Sequence, residues 1–157
     1  MRRAATTRRR RARGAAAGAG WHDGRVSSDS VFGTTTLVHG SESLLAERAT
    51  AAILARARAE RPDVQVNELD ASSASPADFL EATGGSLFAS HSVVVIHDLG
   101  SADDGLGARL VEFAATPSET VCVVAEHTGG TKGRGLLTRL RKAGVARIAA
   151  EPLKAWE

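Results

Sequence analysis

Aromatic residues are scarce in this sequence, at 4% of 157 residues, although 43% of the chain is apolar. Cysteine is scarcer still. The single Cys122, set in the apolar run VCVVA, excludes an internal disulfide framework and reads as a small buried thiol in a cytoplasmic protein. No apolar run approaches the ~20 residues of a membrane-spanning helix. The longest, around 93–96 and 121–125, are strand-sized, and no membrane partner is expected. The sequence also lacks GxxxxGK[ST], GxSxG and any Cys or carboxylate set at metal-ligand spacing. These absences remove a phosphate-cradling loop, a nucleophile elbow and a zinc centre as starting points. What remains is enough apolar residue for one ordinary domain that folds without staples.

Charge is unevenly placed. The whole chain is +2, but residues 1–32 carry eight arginines against Asp23 and Asp29, a net of +6, so residues 33–157 sum to −4. The stretch 1–32 has no hydrophobic periodicity and is rich in Arg, Ala, Gly and Ser. It is expected to be a disordered tail, because it cannot bury enough surface to offset its ordering entropy. A targeting segment or a phosphate-binding arm are the other readings of such a start. Within the rest, Lys132 to Arg147 holds six basic residues and no acidic one. Arg139, Arg141 and Lys142 fall where a helix C-terminus favours cations and are expected to be solvated.

From Thr34 the pattern becomes regular. TTTLVHG has strand composition, and Ser41 is the expected N-cap of a helix carrying Leu44, Leu45, Ala49, Ala52, Ile53 and Ala57 at helical spacing, stopped by Pro62. VQVNEL alternates like a strand. Ser75-Pro76 opens a short helix that Gly84-Gly85 ends. HSVVVIHDL and TVCVVAEH are continuous apolar strands. Residues 104–116 form a helix with Leu106, Leu110, Val111 and Phe113 inward. GLLTRLRKAG is a last helix, closed by Gly144, and VARIAA a last strand. Strands alternating with helices, and middle strands with no polar face, predict a three-layer α/β domain whose mostly parallel sheet is covered on both faces. The expected organisation is a tail over 1–32, a domain over 33–152, and a start of further structure at 153–157.

In such domains the loops beyond the strands' carboxyl ends are the first place to look for a site. The first, VHGSESLL, offers Glu42 where phosphates would sit, and no Lys-Ser/Thr pair. GGTKGRG (129–135) places Lys132 and Arg134 before a helix N-terminus, a possible anion or DNA contact, but its spacing fits no nucleotide fingerprint and a glycine-rich turn with solvated cations is the favoured reading. Asp98 ends the third strand without a second acid beside it. His39, His97 and His127 fall at strand ends as rim residues. No catalytic residue, metal or cofactor is expected: the plan is that of a nucleotide-binding fold without its catalytic parts.

One stretch departs from this economy. GGSLFAS (84–90) spends two large apolar residues, Leu87 and Phe88, between Ser86 and Ser90, in what should be a polar connection. They either return to the core or are displayed. Together with LVHGSESLLAER and KGRGLLTRLRKAG, this stretch resembles the N-terminal domain of the delta subunit of bacterial DNA polymerase III, over about Thr34 to Trp156. The resemblance implies a RecA-like fold of AAA+ type with no working nucleotide site and no activity of its own, in a holoenzyme that has DNA polymerase activity. It implies a clamp-loader role: binding one protomer of the ring-shaped sliding clamp and helping to open it in DNA replication. Partners would be the clamp, the other loader subunits and, through the complex, DNA. Leu87 and Phe88 would form the hydrophobic wedge that enters a clamp pocket. Some members carry a further large apolar residue where this chain has Gly85. The resemblance also implies a helical domain and a collar domain beyond PLKAWE, hence a truncated form. A degenerate nucleotide-binding domain using Lys132 and Arg134, and a nucleic-acid binder using the arginine tail, are the competing readings.

Overall fold

The structure, a computed structural model, describes residues 30–152. Its elements alternate as the hydrophobic pattern requires: β1 (Thr34–His39), α1 (Ser43–Glu60), β2 (Gln65–Asp70), α2 (Pro76–Thr83), β3 (Ser92–His97), a 3₁₀ turn (Leu99–Ser101), α3 (Asp104–Ala115), β4 (Val121–His127), α4 (Arg134–Lys142) and β5 (Ala146–Ala149). The five strands form one parallel sheet in the order β2-β3-β4-β1-β5. β3 and β4 lie inside it, and their Val93 to Ile96 and Val121 to Ala125 are all buried. That is why they read as unbroken apolar runs rather than alternating ones.

The two faces are covered unequally. On one, Leu37, Val94, Ile96, Val123 and Ala125 pack under Phe79, Leu106, Leu110, Leu136 and Leu140 from α2, α3 and α4. On the other, Val38, Val93, Val95, Cys122 and Val124 meet α1 through Leu45, Ala46, Ala49, Ile53, Leu54 and Ala57. Leu44, expected on the inward stripe, is half exposed, and Ala52 faces out as well. Ser41 does not cap the helix. Glu42 donates its N–H to the Ala150 carbonyl (3.0 Å) and takes the cap position with no side-chain bond. α2, by contrast, begins as expected, with Ser75 and Asp78 forming a reciprocal capping box and Pro76 in the first turn. Hydrogen bonds from the Ser75 N–H and hydroxyl hold the Asp78 carboxyl below its usual range.

The boundary drawn at residue 32 is corrected here. Val31 and Phe32 are only 5% and 8% exposed and complete the α1 face of the core. Glu60, at the end of α1, accepts from the Val31 N–H (2.8 Å) and the Ser30 hydroxyl (2.5 Å), which lowers its pKa. Two apolar residues outside the periodic segments are therefore core, because α1 alone does not cover its face. The remainder of the arginine-rich tail and residues 153–157 lie outside the described residues. Cys122 is fully buried, and burial pushes its thiol up to about 11. Among the described residues no helix is long and apolar enough to cross a membrane.

Candidate interaction site

Leu87 and Phe88 stand on the loop that leads from α2 into β3, at the amino-terminal end of the sheet. They are 98% and 94% exposed, so they do not return to the core. The flanking serines explain how the loop holds its shape. Ser86 Oγ accepts from the Phe88 N–H (3.1 Å), closing a small turn beneath the two apolar side chains. Ser90 Oγ pairs with His91 Nδ1 (2.8 Å). The foot of the loop is tied down on both sides. Gly84 donates to Leu80 O (2.9 Å), His91 O accepts from the Gln65 N–H (3.1 Å) and Ser92 donates to Thr120 O (3.0 Å). The Phe32 ring meets the His91 ring edge-on at 4.7 Å. A Cβ at Gly85 would meet nothing within 4 Å.

Lys132 and Arg134 sit at the opposite end, beyond the carboxyl end of β4, and the structure does not bring them near Leu87 and Phe88. Lys132 Nζ reaches Ser101 Oγ at 3.3 Å, and Arg134 begins α4 on its exposed side. The organiser of this rim is His127, buried to 2% exposure. Its Nδ1 accepts from the Gly129 N–H (3.0 Å), so its Nε2 carries the proton and donates to Lys132 O (2.6 Å). One neutral ring thus shapes the glycine-rich loop, helped by the close approach of Gly133 to Gly100. The sequence marks His127 only as a strand-end histidine, since its partners lie in its own turn.

The loop after β1 is closed by the chain itself. Gly40 donates to His127 O (3.0 Å), Glu42 to Ala150 O (3.0 Å), and Ala150 to His39 O (2.8 Å). A Cβ at Gly40 would overlap the Ala150 carbonyl, so only glycine fits there. A phosphate-binding loop needs such amides free and pointing at its ligand. Burial, then the nearby Arg147 guanidinium and His127, lower the His39 pKa, and Arg147 pairs with its Nδ1 at 2.9 Å. His39 and His127 face each other at 5.2 Å.

His97 does not join them. It lies between Glu126 (Nδ1 to Oε2, 2.8 Å) and Glu68 (Nε2 to Oε1, 3.4 Å), while Thr50 of α1 donates to Glu126 Oε1 at 2.6 Å. Burial opposes the charged ring, but hydrogen bonds and charge from the two glutamates outweigh it and raise the pKa. The sign follows from linkage: a raised folded pKa gives stability that is complete below the unfolded value of 6.5 and disappears as pH rises through the folded one. The stability difference between the parent and His97→Gln is therefore expected to be largest below pH ~6.5 and to shrink above it, read by urea melts across that range. Asp98 is exposed and left-handed (φ 55°). Among the described residues no group of three His, Cys, Asp or Glu is placed to hold a metal ion.

This strand order, with one helix on one face and three on the other, is that of an AAA+-like α/β domain. Solved structures agree on the fold. The DNA clamp loader delta protein of Bacillus subtilis superposes with a TM-score of 0.57 at 13% identity, over 76% of this chain and 38% of that one. A DNA polymerase III gamma subunit-related protein of Thermotoga maritima gives 0.54 at 16% identity, over 78% and 42%. The chain thus spans about two-fifths of the length of either. No family profile and no curated protein sequence matches it.

Proposed function

We propose that this chain is a clamp-loader module of the delta type, without catalysis of its own, that grips a ring-shaped sliding clamp through Leu87 and Phe88 and helps to open it in DNA replication. The observation that carries the reading is the display of those two side chains, 98% and 94% exposed on a loop whose foot is fixed. Large apolar side chains held in water at a loop tip gain most when a partner buries them. The fold likeness to a clamp loader delta protein supports the same assignment. Its setting would be cytoplasmic, with other loader subunits and, through them, DNA as further partners. The non-catalytic half is supported by the loop after β1, whose Gly40 and Glu42 amides are already donated within the chain.

Two measurements test the reading. Titration of the sliding clamp of the same organism should give saturable binding that depends on Leu87 and Phe88. Titration with labelled magnesium-ATP should give none. Saturable ATP binding that is lost in Lys132→Ala/Arg134→Ala would instead make this a degenerate nucleotide-binding domain. Reversing charge at Arg139 and Lys142, both exposed in the last turn of α4, is expected to leave clamp affinity within about twofold at physiological salt, because solvated cations contribute little. A larger loss in the same titration would put the α4 face in the interface.

A further inference from the structure

A groove of about 510 Å³ runs along the outer edge of β2, against α2 and against Gly84, Gly85 and Ser86 of the loop that carries Leu87 and Phe88. β2 is the last strand of the sheet on that side. At its two ends Gln65 and Ala71 give their N–H groups to β3, at His91 O and His97 O. The alternation of a parallel ladder therefore turns the N–H and C=O of Val66 and Glu68 outward, and both residues line the groove. An open edge of this kind is a template for one more strand. The groove is also acidic: Glu68, Asp78 and Glu81 line it together with no Lys, Arg or His, and all three are exposed. They stand on both sides of the edge. Val66, two residues before Glu68, packs on the α1 face, whereas Asp78 and Glu81 belong to α2 on the other. Asp78 accepts from the Ser75 N–H and Glu68 lies 3.4 Å from His97, but each carboxylate keeps lone pairs for a further cation.

The chain itself carries the complement. Residues 1–29 hold eight arginines against Asp23 and Asp29, and five of the eight fall between positions 8 and 13. An added strand sends successive side chains to opposite faces, so an unbroken arginine run puts cations toward Glu68 on one side and toward Asp78 and Glu81 on the other. A second copy of the β2 edge, bearing the same acids, would repel. The described chain also begins beside the groove. The Phe32 ring meets the His91 ring at 4.7 Å, and the His91 carbonyl holds the N–H of Gln65, where the groove starts. The sixteen residues 14–29 between the run and Ser30 can span up to about 50 Å, more than the ~20 Å of a six-residue strand.

We infer that the arginine run at residues 8–13 docks in this groove of its own chain, as an extended segment laid along the open edge of β2. The inference does not depend on the clamp, although the docked segment shares Gly84 to Ser86 with any partner that takes Leu87 and Phe88. Ordering the segment offsets most of what the new bonds gain, and exposed ion pairs are individually weak. The contact is therefore read by proximity and salt dependence, and leaves the melting temperature nearly as it is.

The test places a nitroxide spin label on Ala12→Cys in the full, isotope-labelled chain and reads amide signals by NMR. Cys122, buried and with its thiol pushed up to about 11, stays unlabelled. At about 10 mM salt, where charges act over roughly 30 Å, the amides of Val66, Glu68 and Gly85 are expected to lose most of their intensity. Those of Lys132 and Arg134, at the opposite end of the sheet, should keep theirs. The groove signals should return at about 1 M salt, where the range falls to roughly 3 Å. They should also return at low salt in Glu68→Gln/Glu81→Gln, and when Arg8, Arg9, Arg10 and Arg11 are all replaced by glutamine. The second variant leaves the domain untouched, and the amide spectrum of the first reports whether it is folded. Full intensity at the groove in the parent overturns the inference, as does loss spread evenly over the whole surface or loss that survives both sets of substitutions. Loss seen only when spin-labelled chain is mixed with unlabelled, isotope-enriched chain would make the occupant the segment of a second copy, and overturns the assignment to the same chain.

Discussion

Replacing both Leu87 and Phe88 with alanine is expected to weaken clamp binding by at least about tenfold while leaving the domain as stable as before. The affinity loss follows from removing two apolar anchors, which costs more than about 1.4 kcal/mol. The unchanged stability follows from exposure: side chains 98% and 94% in water leave no cavity when truncated. The contrasting control is Phe79, 1% exposed and at the centre of the three-helix face. Its replacement by alanine should cost about 3–5 kcal/mol. Phe113, inward by its helical spacing, is only partly buried against that core and makes a weaker control. Equilibrium urea melts and a clamp titration on the same samples separate the two outcomes. A double variant that melts like Phe79→Ala, or that binds normally, would remove the wedge assignment.

The second large effect concerns the start of the fold. Removing residues 1–29 is expected to leave the melting temperature nearly unchanged. Removing 1–32 should lower stability by about 3 kcal/mol or more, since Val31 and Phe32 are each buried apolar side chains worth roughly 1.5–3 kcal/mol. The longer deletion also strips Glu60 of both its hydrogen-bonding partners. For a domain of this size the difference should appear as a drop of about 10 °C, measurable by thermal melts of the two truncations side by side. Equal melting would show that α1 closes its face without them.

Three residues away in sequence, that boundary was hard to see. Val31 and Phe32 form no period and follow a polar run, and the Val31 N–H is held by Glu60, 29 residues later in the chain. Nothing local marks them. The sheet, in contrast, was legible because buried parallel strands leave their mark in every residue, and Val93 to Ile96 has no polar position to misread. The facing of α1 was legible only in part, since Leu44 and Leu45 are equally apolar and only Leu45 packs on the core. At the candidate site, the two serines that bracket Leu87 and Phe88 were visible, but the bond from the Phe88 N–H to Ser86 was not read from them. The roles of His97 and His127 were not, because the same strand-end pattern led to a salt-bridged rim in one case and a buried loop organiser in the other.

The loop that carries Leu87 and Phe88 is anchored directly to the middle of the sheet. Phe88 is four residues from the start of β3, a strand buried from Ser92 to Ile96 and hydrogen-bonded along both edges. Six residues of strand form a strut about 20 Å long, with little freedom to bend or slip between its neighbours. A load taken at Leu87 and Phe88 enters that strut and, through the Gln65 and Thr120 backbone bonds, the strands beside it, while on the other side it enters α2 through the bond from Gly84 to Leu80. A push at the loop tip is therefore shared between the buried centre of the sheet and one helix lying on it.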